Sequence, residues 1–359
     1  MSITIFTPGR TELSGNHTDH QQGRILASAV DVGLTAVVDK DFGTKIVLES
    51  EGFPPFEADT EQLEILPEDA GTSRALLRGM LACFRENGLD IGPFSAKVTS
   101  TLPSGSGLSS SAAFSVMVGR ILNELYNGGK ADPVFIAKSA QYAENNYFGK
   151  PCGLMDQLAC SLGHAVYVDF RTMEIDPIIA DFGAMGLTLC LANTGGSHAG
   201  LDDAYASIRI EMERIAARFG QKVLRDVDPA EFEAKGWSLS DRPVRRAKHF
   251  FEENERVPLM RDALRSGNGA EYMRLMNASG RSSENLLNNI VAEGAGDTKL
   301  AEGLELSAKL LEGRGAWRVH GGGFAGCVQA LMPPDLFPYY KAEMEKTFGP
   351  DTCRELKLA

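Results

Sequence analysis

Leu102 to Ala113 reads LPSGSGLSSSAA, and its setting decides how the chain folds. Before it, Phe94 to Ser100 has the make-up of a strand; after it, Ser111 to Tyr126 has the apolar spacing of a helix. Between them, Gly105 and Gly107 let the backbone approach a ligand closely, and the helix that follows turns its positive dipole end toward the loop. Such a loop holds phosphate without the lysine of a Walker loop, and no G-x-x-x-x-G-K-[ST] occurs here. A flexible Ser/Gly linker is the plainer reading, and the apolar strand and helix on either side argue against it. Hydroxyls of Ser109 to Ser111 are also within reach of a metal bound to that phosphate.

Upstream, Thr7 to Gly23 (TPGRTELSGNHTDHQQG) packs Arg10, Glu12, Asn16, His17, Asp19 and His20 into a stretch through which no hydrophobic face can be drawn. Apolar Ile3 to Phe6 and Ile25 to Val30 flank it, so the sequence predicts a polar loop held by core elements. Donors and acceptors of several kinds suit a small polyhydroxylated ligand, a sugar first of all.

Further strands are expected at Ile3 to Phe6, Thr35 to Val38, Lys45 to Leu48, Ala165 to Phe170 and Leu187 to Ala192. A helix fits Arg74 to Glu86, and Asp132-Pro133 opens another that runs to about Phe148. From Asp202 the pattern changes to charged helices at Asp202 to Phe219, Val244 to Asn254, Ala270 to Leu287 and Thr298 to Leu311. Strands return at Trp317 to Val319 and Gly326 to Leu331, followed by a helix over Asp335 to Thr347 and a strand at Cys353 to Leu356. Two domains are expected, residues 1–192 and 193–359, because 359 residues exceed what one core usually organises. No internal repeat is evident.

A formal charge of -12 disfavours nucleic acid and anionic membranes as partners. The longest uncharged run, Val98 to Gly119, is mostly Ser, Thr, Gly and Pro and cannot span a bilayer. Six cysteines without a C-x-x-C pair, and no signal-like start, point to a reducing, cytoplasmic setting.

Pro103 to Ala112 resembles the ATP loop P-x-x-x-G-L-[SG]-S-S-A of the galacto-, homoserine, mevalonate and phosphomevalonate (GHMP) kinases. The PGR at Pro8 to Arg10 and GNHTDHQQG at Gly15 to Gly23 are similar to the narrower galactokinase signature, proline-glycine-arginine and then G-E-H-T-D-Y-N-x-G. Pro151 to Gln157 (PCGLMDQ), Gly163 to Arg171 (GHAVYVDFR) and HGGGFAGC within Val319 to Cys327 extend the likeness, in order, over nearly the whole chain. The resemblance implies an α+β, two-domain fold: an N-terminal ribosomal-protein-S5-domain-2-like domain, a C-terminal ferredoxin-like domain and the active site between them. It implies ATP as cosubstrate, Mg²⁺ as cofactor, a small sugar as acceptor, and a monomer or homodimer.

Residue by residue, Asp156 of PCGLMDQ becomes the expected general base, and Arg10 the cation that favours its ionised form and stabilises the phosphoryl in transit. Taken alone, Asp156 reads equally well as a carboxylate at a helix start. Gly153 keeps backbone low beneath the sugar, and Asn16, His17, Asp19 and Tyr205 are expected to contact it. Pro103, Ser104, Gly105, Ser106, Gly107, Leu108, Ser109, Ser110 and Ser111 are expected around ATP, with Ser110 and Glu144 on Mg²⁺. Plainer readings are a solvated helical glutamate for Glu144 and helix packing for Tyr205. A transition-metal site at His17, Asp19 and His20 lacks any further His/Cys cluster.

Gly321 to Gly326 also fits G-x-G-x-x-G, but too little chain follows to build a dinucleotide-binding unit. Arg242, Arg245, Arg246 and Lys248, with His249, read as a solvated charged face. His164 reads as a structural residue at a strand edge. Galactokinases generally have Asn at position 12, Glu at 16 and Tyr at 20, where this chain has Glu12, Asn16 and His20. The family more often has Thr at 320, where this chain has His320, and the sequence offers no reason for that. Losing a glutamate at 16 removes about 1 to 4 kcal/mol of repulsion against a sugar acid about 4 Å away, and the D-H-Q order resembles plant galacturonic acid kinases. The expected activity is therefore an anomeric sugar kinase acting on galactose, with galacturonate or another galactose-like sugar as the alternative. A catalytically silent sugar sensor, or a kinase of a non-sugar alcohol, would reuse the same fold.

Overall fold

A computed structural model describes residues 2–103, 105, 107–196, 200–294 and 296–359. Its first sheet has seven strands: β1 (Ser2–Ser14), β2 (Arg24–Lys40), β3 (Lys45–Ser50), β4 (Phe56–Asp59), β5 (Phe94–Ser100), β6 (Val166–Asp169) and β7 (Glu174–Pro177). The order is β4-β3-β5-β2-β6-β7, with β1 along the other edge of β2. β2 pairs with β6 at its start and β5 at its end. The C-terminal residues fill the gap between, where the Asp31 N–H donates to the Lys357 carbonyl and the Ala359 N–H to that of Ala29.

β1 corrects the expectation of a polar loop beginning at Thr7. The strand continues to Ser14, and every residue from Thr7 to Ser14 is buried. Alternation fails as a signal because both faces are covered, and the polar side chains meet buried polar partners instead of water. Register shifts between Pro8 and Arg10 and between Glu12 and Ser14 bracket the two charged residues. Bulges of this kind re-aim side chains.

Helix α1 (Ser73–Glu86), with Thr72 as N-cap, and α2 (Ser110–Tyr126) pack on this sheet through Leu77, Met80, Phe84, Met117 and Ile121. α3 (Pro133–Tyr142) passes into a π-helical turn at Ala143–Phe148, and α4 (Met155–Leu162) follows the PCGL loop.

The second sheet joins β8 (Thr188–Asn193), β9 (Ala316–His320), β10 (Cys327–Met332) and β11 (Cys353–Glu355) in the antiparallel order β11-β8-β10-β9. That is the ferredoxin-like order. β8 pairs only with strands of this sheet, and it straddles the 192/193 boundary expected from sequence.

Between β8 and β9 run α5 (Asp202–Ala217), α6 (Pro229–Ala234), α7 (Arg242–Arg265), α8 (Gly269–Ser282) and α9 (Lys299–Leu311); α10 (Phe337–Phe348) precedes β11. Leu13, Leu26, Val30 and Leu108 share one core with Leu189, Leu191, Leu331 and Met276, so the sheets meet along β1. The charge run opening α7 is not a solvated face. Arg246 is buried, donating to Glu211 at 2.9 Å and to the Leu287 carbonyl at 3.1 Å, and His249 is buried against Ser282 and the Asn16 carbonyl.

Candidate active site

Arg10 reaches from its bulge to Asp156 in the first turn of α4. Its Nε and Nη2 lie 2.7 Å from Asp156 Oδ1 and Oδ2, a two-pronged pair, and its Nη1 donates to the Gly107 carbonyl at 2.6 Å. Ser109, the residue before α2, donates its hydroxyl to Asp156 Oδ2 at 2.6 Å. The expected base, its cation and the phosphate loop thus meet in one cluster. The Arg10 side chain is 7% exposed and that of Asp156 32%, so the carboxylate is the member a ligand reaches. Burial pushes the Asp156 carboxyl up, but Arg10 and Ser109 outweigh it and hold it below the usual carboxylate value.

Gly105 and Gly107 take φ of +66° and +67°, where a side chain would be strained. Together with Pro103, Ser110 and Ser111 they form the connection into α2, in which Gly105, Gly107 and Ser110 are exposed. Leu108 is buried, and its carbonyl accepts from the Arg10 N–H at 3.1 Å, so it anchors the loop on β1. Ser104 and Ser106 lie outside the described residues, as does His198.

Beside Asp156, the Asp19 carboxylate lies against Gly153 so closely that a Cβ there would fall 1.7 Å from Asp19 Oδ2. Burial, then the neighbouring Asp156 charge, pushes Asp19 up to about 6. Two neighbouring carboxyls driven apart in this way are suited to different tasks. Gly153→Ala is expected to raise the KM for sugar tenfold or more, because the methyl evicts the Asp19 carboxylate, while the KM for ATP holds; steady-state kinetics on both substrates reads this.

His17 and His20 form a chain of fixed polarity. The Gln21 amide N–H donates to His20 Nδ1 at 3.2 Å, so His20 carries its proton on Nε2 and gives it to His17 Nδ1 at 3.3 Å. His17 Nε2 then donates to the Gly322 carbonyl at 3.0 Å. Burial lowers His17 to about 4 and His20 well below its usual value, so both rings are neutral at pH 7.

Other residues expected at the sugar hold the same glycine loop. Asn16 Nδ2 donates to the Gly321 carbonyl at 2.6 Å, and the Tyr205 hydroxyl to that of Gly323 at 2.7 Å, with Phe324 edge-on to the Tyr205 ring. Asn16 is fully buried, and its Oδ1 accepts from Asn289 at 3.0 Å and Ser283 at 3.3 Å. Protein groups therefore occupy both ends of the Asn16 amide, which supports the glycine loop.

Position 12 explains position 16. Asn16 Nδ2 is 3.3 Å from both carboxylate oxygens of Glu12, so Asn and Glu have exchanged places relative to the resembled signature and face each other. Glu12 also pairs with Arg318 Nη2 at 2.8 Å, the side chains 2% and 1% exposed. Arg318 is 306 residues away, and no local pattern in the sequence could have linked the two.

Glu144 sits in the π-helical turn, buried, accepting from Ser111 at 3.1 Å and Gln157 at 2.8 Å, with Lys150 Nζ at 3.9 Å. It is not a solvated helical glutamate. Of the two residues expected on Mg²⁺, Glu144 accepts from the hydroxyl of Ser111, and Ser110 is exposed beside it at the start of α2. The donor set is all oxygen, and the buried Gln157 Oε1 beside Glu144 has no hydrogen-bond partner among the described residues, which fits Mg²⁺.

The family described as GHMP kinases N terminal domain matches residues 75–164, and the galactokinase galactose-binding signature matches residues 2–40. Galactokinase from Lactococcus lactis, solved with galactose, is similar over 99% of this chain and 93% of its own, at 24% identity and a TM-score of 0.87. Mevalonate kinase from Methanococcus jannaschii is similar over 100% and 99%, at 15% identity and 0.71. Phosphomevalonate kinase from Streptococcus pneumoniae, with phosphomevalonate and AMPPNP, is similar over 99% and 98%, at 14% identity and 0.67. The chain thus has the GHMP kinase fold through both sheets, and the two family models that match it fall on the strands and loops that build the Arg10–Asp156 cluster.

Proposed function

We propose that the protein transfers the γ-phosphoryl group of ATP to the C1 hydroxyl of D-galactose, giving α-D-galactose 1-phosphate and ADP. The observation that carries this is the Asp156 carboxylate, ionised by Arg10 and tied by Ser109 to the phosphate loop. The C1 hydroxyl donates to Asp156. A carboxylate of lowered pKa is a weak base, so the proton leaves only as the oxygen bonds to phosphorus, and positioning precedes proton transfer. Arg10 then balances charge on the transferring group, and Asp19 accepts from sugar hydroxyls above Gly153. Ser110, Ser111 and Glu144 are the residues that would hold Mg²⁺, which when bound neutralises charge on the phosphates. All these groups come from one chain, so a monomer suffices for the reaction and a homodimer would carry two such sites.

A uronate acceptor would rest on the lack of a carboxylate at Asn16. Glu12 returns one 3.3 Å from Asn16 Nδ2, and that Nδ2 already serves the Gly321 carbonyl. A neutral sugar is favoured. ADP release with galactose, galacturonate and mevalonate tests the reading: galactose should give the highest kcat/KM. Preferred turnover of galacturonate or mevalonate overturns it, and galactose binding without ADP release favours the sensor.

Asp19 makes the substrate affinity pH-dependent. As the pH falls through about 6 it takes up a proton, so the KM for galactose should rise while kcat, carried by Asp156, stays level. The folded pKa lies above the unfolded one, so ionised Asp19 destabilises the fold above about pH 6, and that cost disappears below about pH 4. Asp19→Asn should therefore be more stable by about 1 to 3 kcal/mol at pH 8 and no more stable at pH 4, while losing galactose affinity. Melting curves at both pH values, and KM between pH 5 and 8, check this; a flat KM down to pH 5 contradicts it.

A further inference from the structure

His320 ends β9, where it meets the phosphate loop, and its buried ring has one nitrogen engaged and one not. Nε2 lies 3.3 Å from the Glu12 backbone N–H, which can only donate, and 3.0 Å from the Thr11 hydroxyl. The Thr11 oxygen already accepts from Gln329 at 2.9 Å, which leaves its O–H for Nε2. Nε2 is therefore an acceptor, and the neutral ring carries its proton on Nδ1. That Nδ1 is buried and has no hydrogen-bond partner among the described residues. Its direction is given by Gly107: a Cβ at that exposed glycine would lie 3.3 Å from Nδ1. Gly107 is also the residue whose carbonyl binds Arg10.

We propose that His320 Nδ1–H is a hydrogen-bond donor to the phosphoryl group in transit between ATP and the sugar. The inference rests on the kinase reading above and adds a residue to it. A buried N–H left without an acceptor is costly, and a phosphoryl oxygen held between Gly107 and Asp156 would satisfy it. Burial, then the Arg10 and Arg318 charges, keep the ring's pKa well below its usual value, so His320 serves as a neutral donor and not as an acid. Thr11 and Glu12 of β1 hold the ring, and Gln329 of β10 fixes the Thr11 hydroxyl.

Two amides separate the two nitrogens. Asn at 320 presents an N–H near the place of Nδ1 and abandons Nε2; Gln presents an acceptor near Nε2 and abandons the Nδ1 donor. With MgATP and galactose, His320→Gln should lower kcat about ten- to a hundredfold with an unchanged sugar KM, and His320→Asn should stay within about threefold of wild type. A Gln variant with wild-type kcat, or an Asn variant as impaired as Gln, overturns the proposal. If the wild-type enzyme turns over no sugar, the kinase reading fails separately, and equilibrium binding decides for His320. The wild-type preference for ATP over ADP should fall in His320→Gln, and an unchanged preference is contrary. Should the Gln variant not fold, the wild-type Nδ1–H proton resonance should shift with AMPPNP and not with ADP; no such difference refutes the contact.

Discussion

Asp156→Asn is expected to lower kcat by about two to four orders of magnitude, the usual range for removing a positioned general base, with the galactose KM changed only a few-fold. Asn occupies the same volume and can keep the Ser109 contact through its oxygen. It loses the proton acceptor and turns an N–H₂ toward a guanidinium that has only donors. Arg10, 5% exposed and left without its counter-ion, should also cost stability.

That second effect has its own pH signature. The folded pKa of Asp156 lies below its unfolded value, so its contribution is present above about pH 4 and is lost as the pH falls through the folded value. The stability gap between wild type and variant should therefore narrow as the pH falls from about 4 toward the folded pKa of Asp156, while the kcat gap persists until that carboxylate itself takes up a proton. Coupled ADP assays and melting curves separate the two. A variant with kcat within threefold of wild type would remove Asp156 from the reaction.

The second large effect concerns stability. Arg318→Met is expected to destabilise the fold by about 3 to 5 kcal/mol, the usual cost of removing one partner of a buried pair. Arg318 Nη2 donates to the Glu12 carboxylate at 2.8 Å and to its carbonyl at 2.9 Å, and Nε donates to Gln329 Oε1 at 3.0 Å. These bonds tie β9 and β10 to β1, where the sheets meet.

Burial already pushes the Glu12 carboxyl up against the pull of Arg318 and Arg10, so without Arg318 it should protonate. Adding Glu12→Gln to Arg318→Met should therefore recover part of the loss, and the two changes should be non-additive. Urea unfolding of the wild type, both single variants and the double variant measures the coupling. A loss under about 1 kcal/mol for Arg318→Met, in the range of exposed pairs, would show that the pair carries no weight in the fold.

The phosphate loop and most helices were legible because their causes are local: glycine at positive φ, a proline after an N-cap, an apolar period of 3.6. α2 begins at Ser110 and α9 ends at Leu311, within a residue of expectation. Thr7 to Ser14 was misread for the complementary reason. A strand covered on both faces by ion pairs and amides has no alternation to detect, and its partners Asp156 and Arg318 lie 146 and 306 residues away. Arg246 and His249 were misread in the same way, since a run of charges does not reveal which members find buried partners.

The sequence by itself determined the fold and the segments that carry the Arg10–Asp156 cluster, because short-range backbone requirements are written in consecutive residues. Only the tertiary structure decided what the side chains do there. It showed that Glu12 and Asn16 have traded places, that His17, Asn16 and Tyr205 grip the carbonyls of one glycine loop, and that His320 keeps a buried proton facing Gly107. These are properties of pairs brought together by folding, and a buried polar atom's role is set by whichever partner lies within about 3 Å.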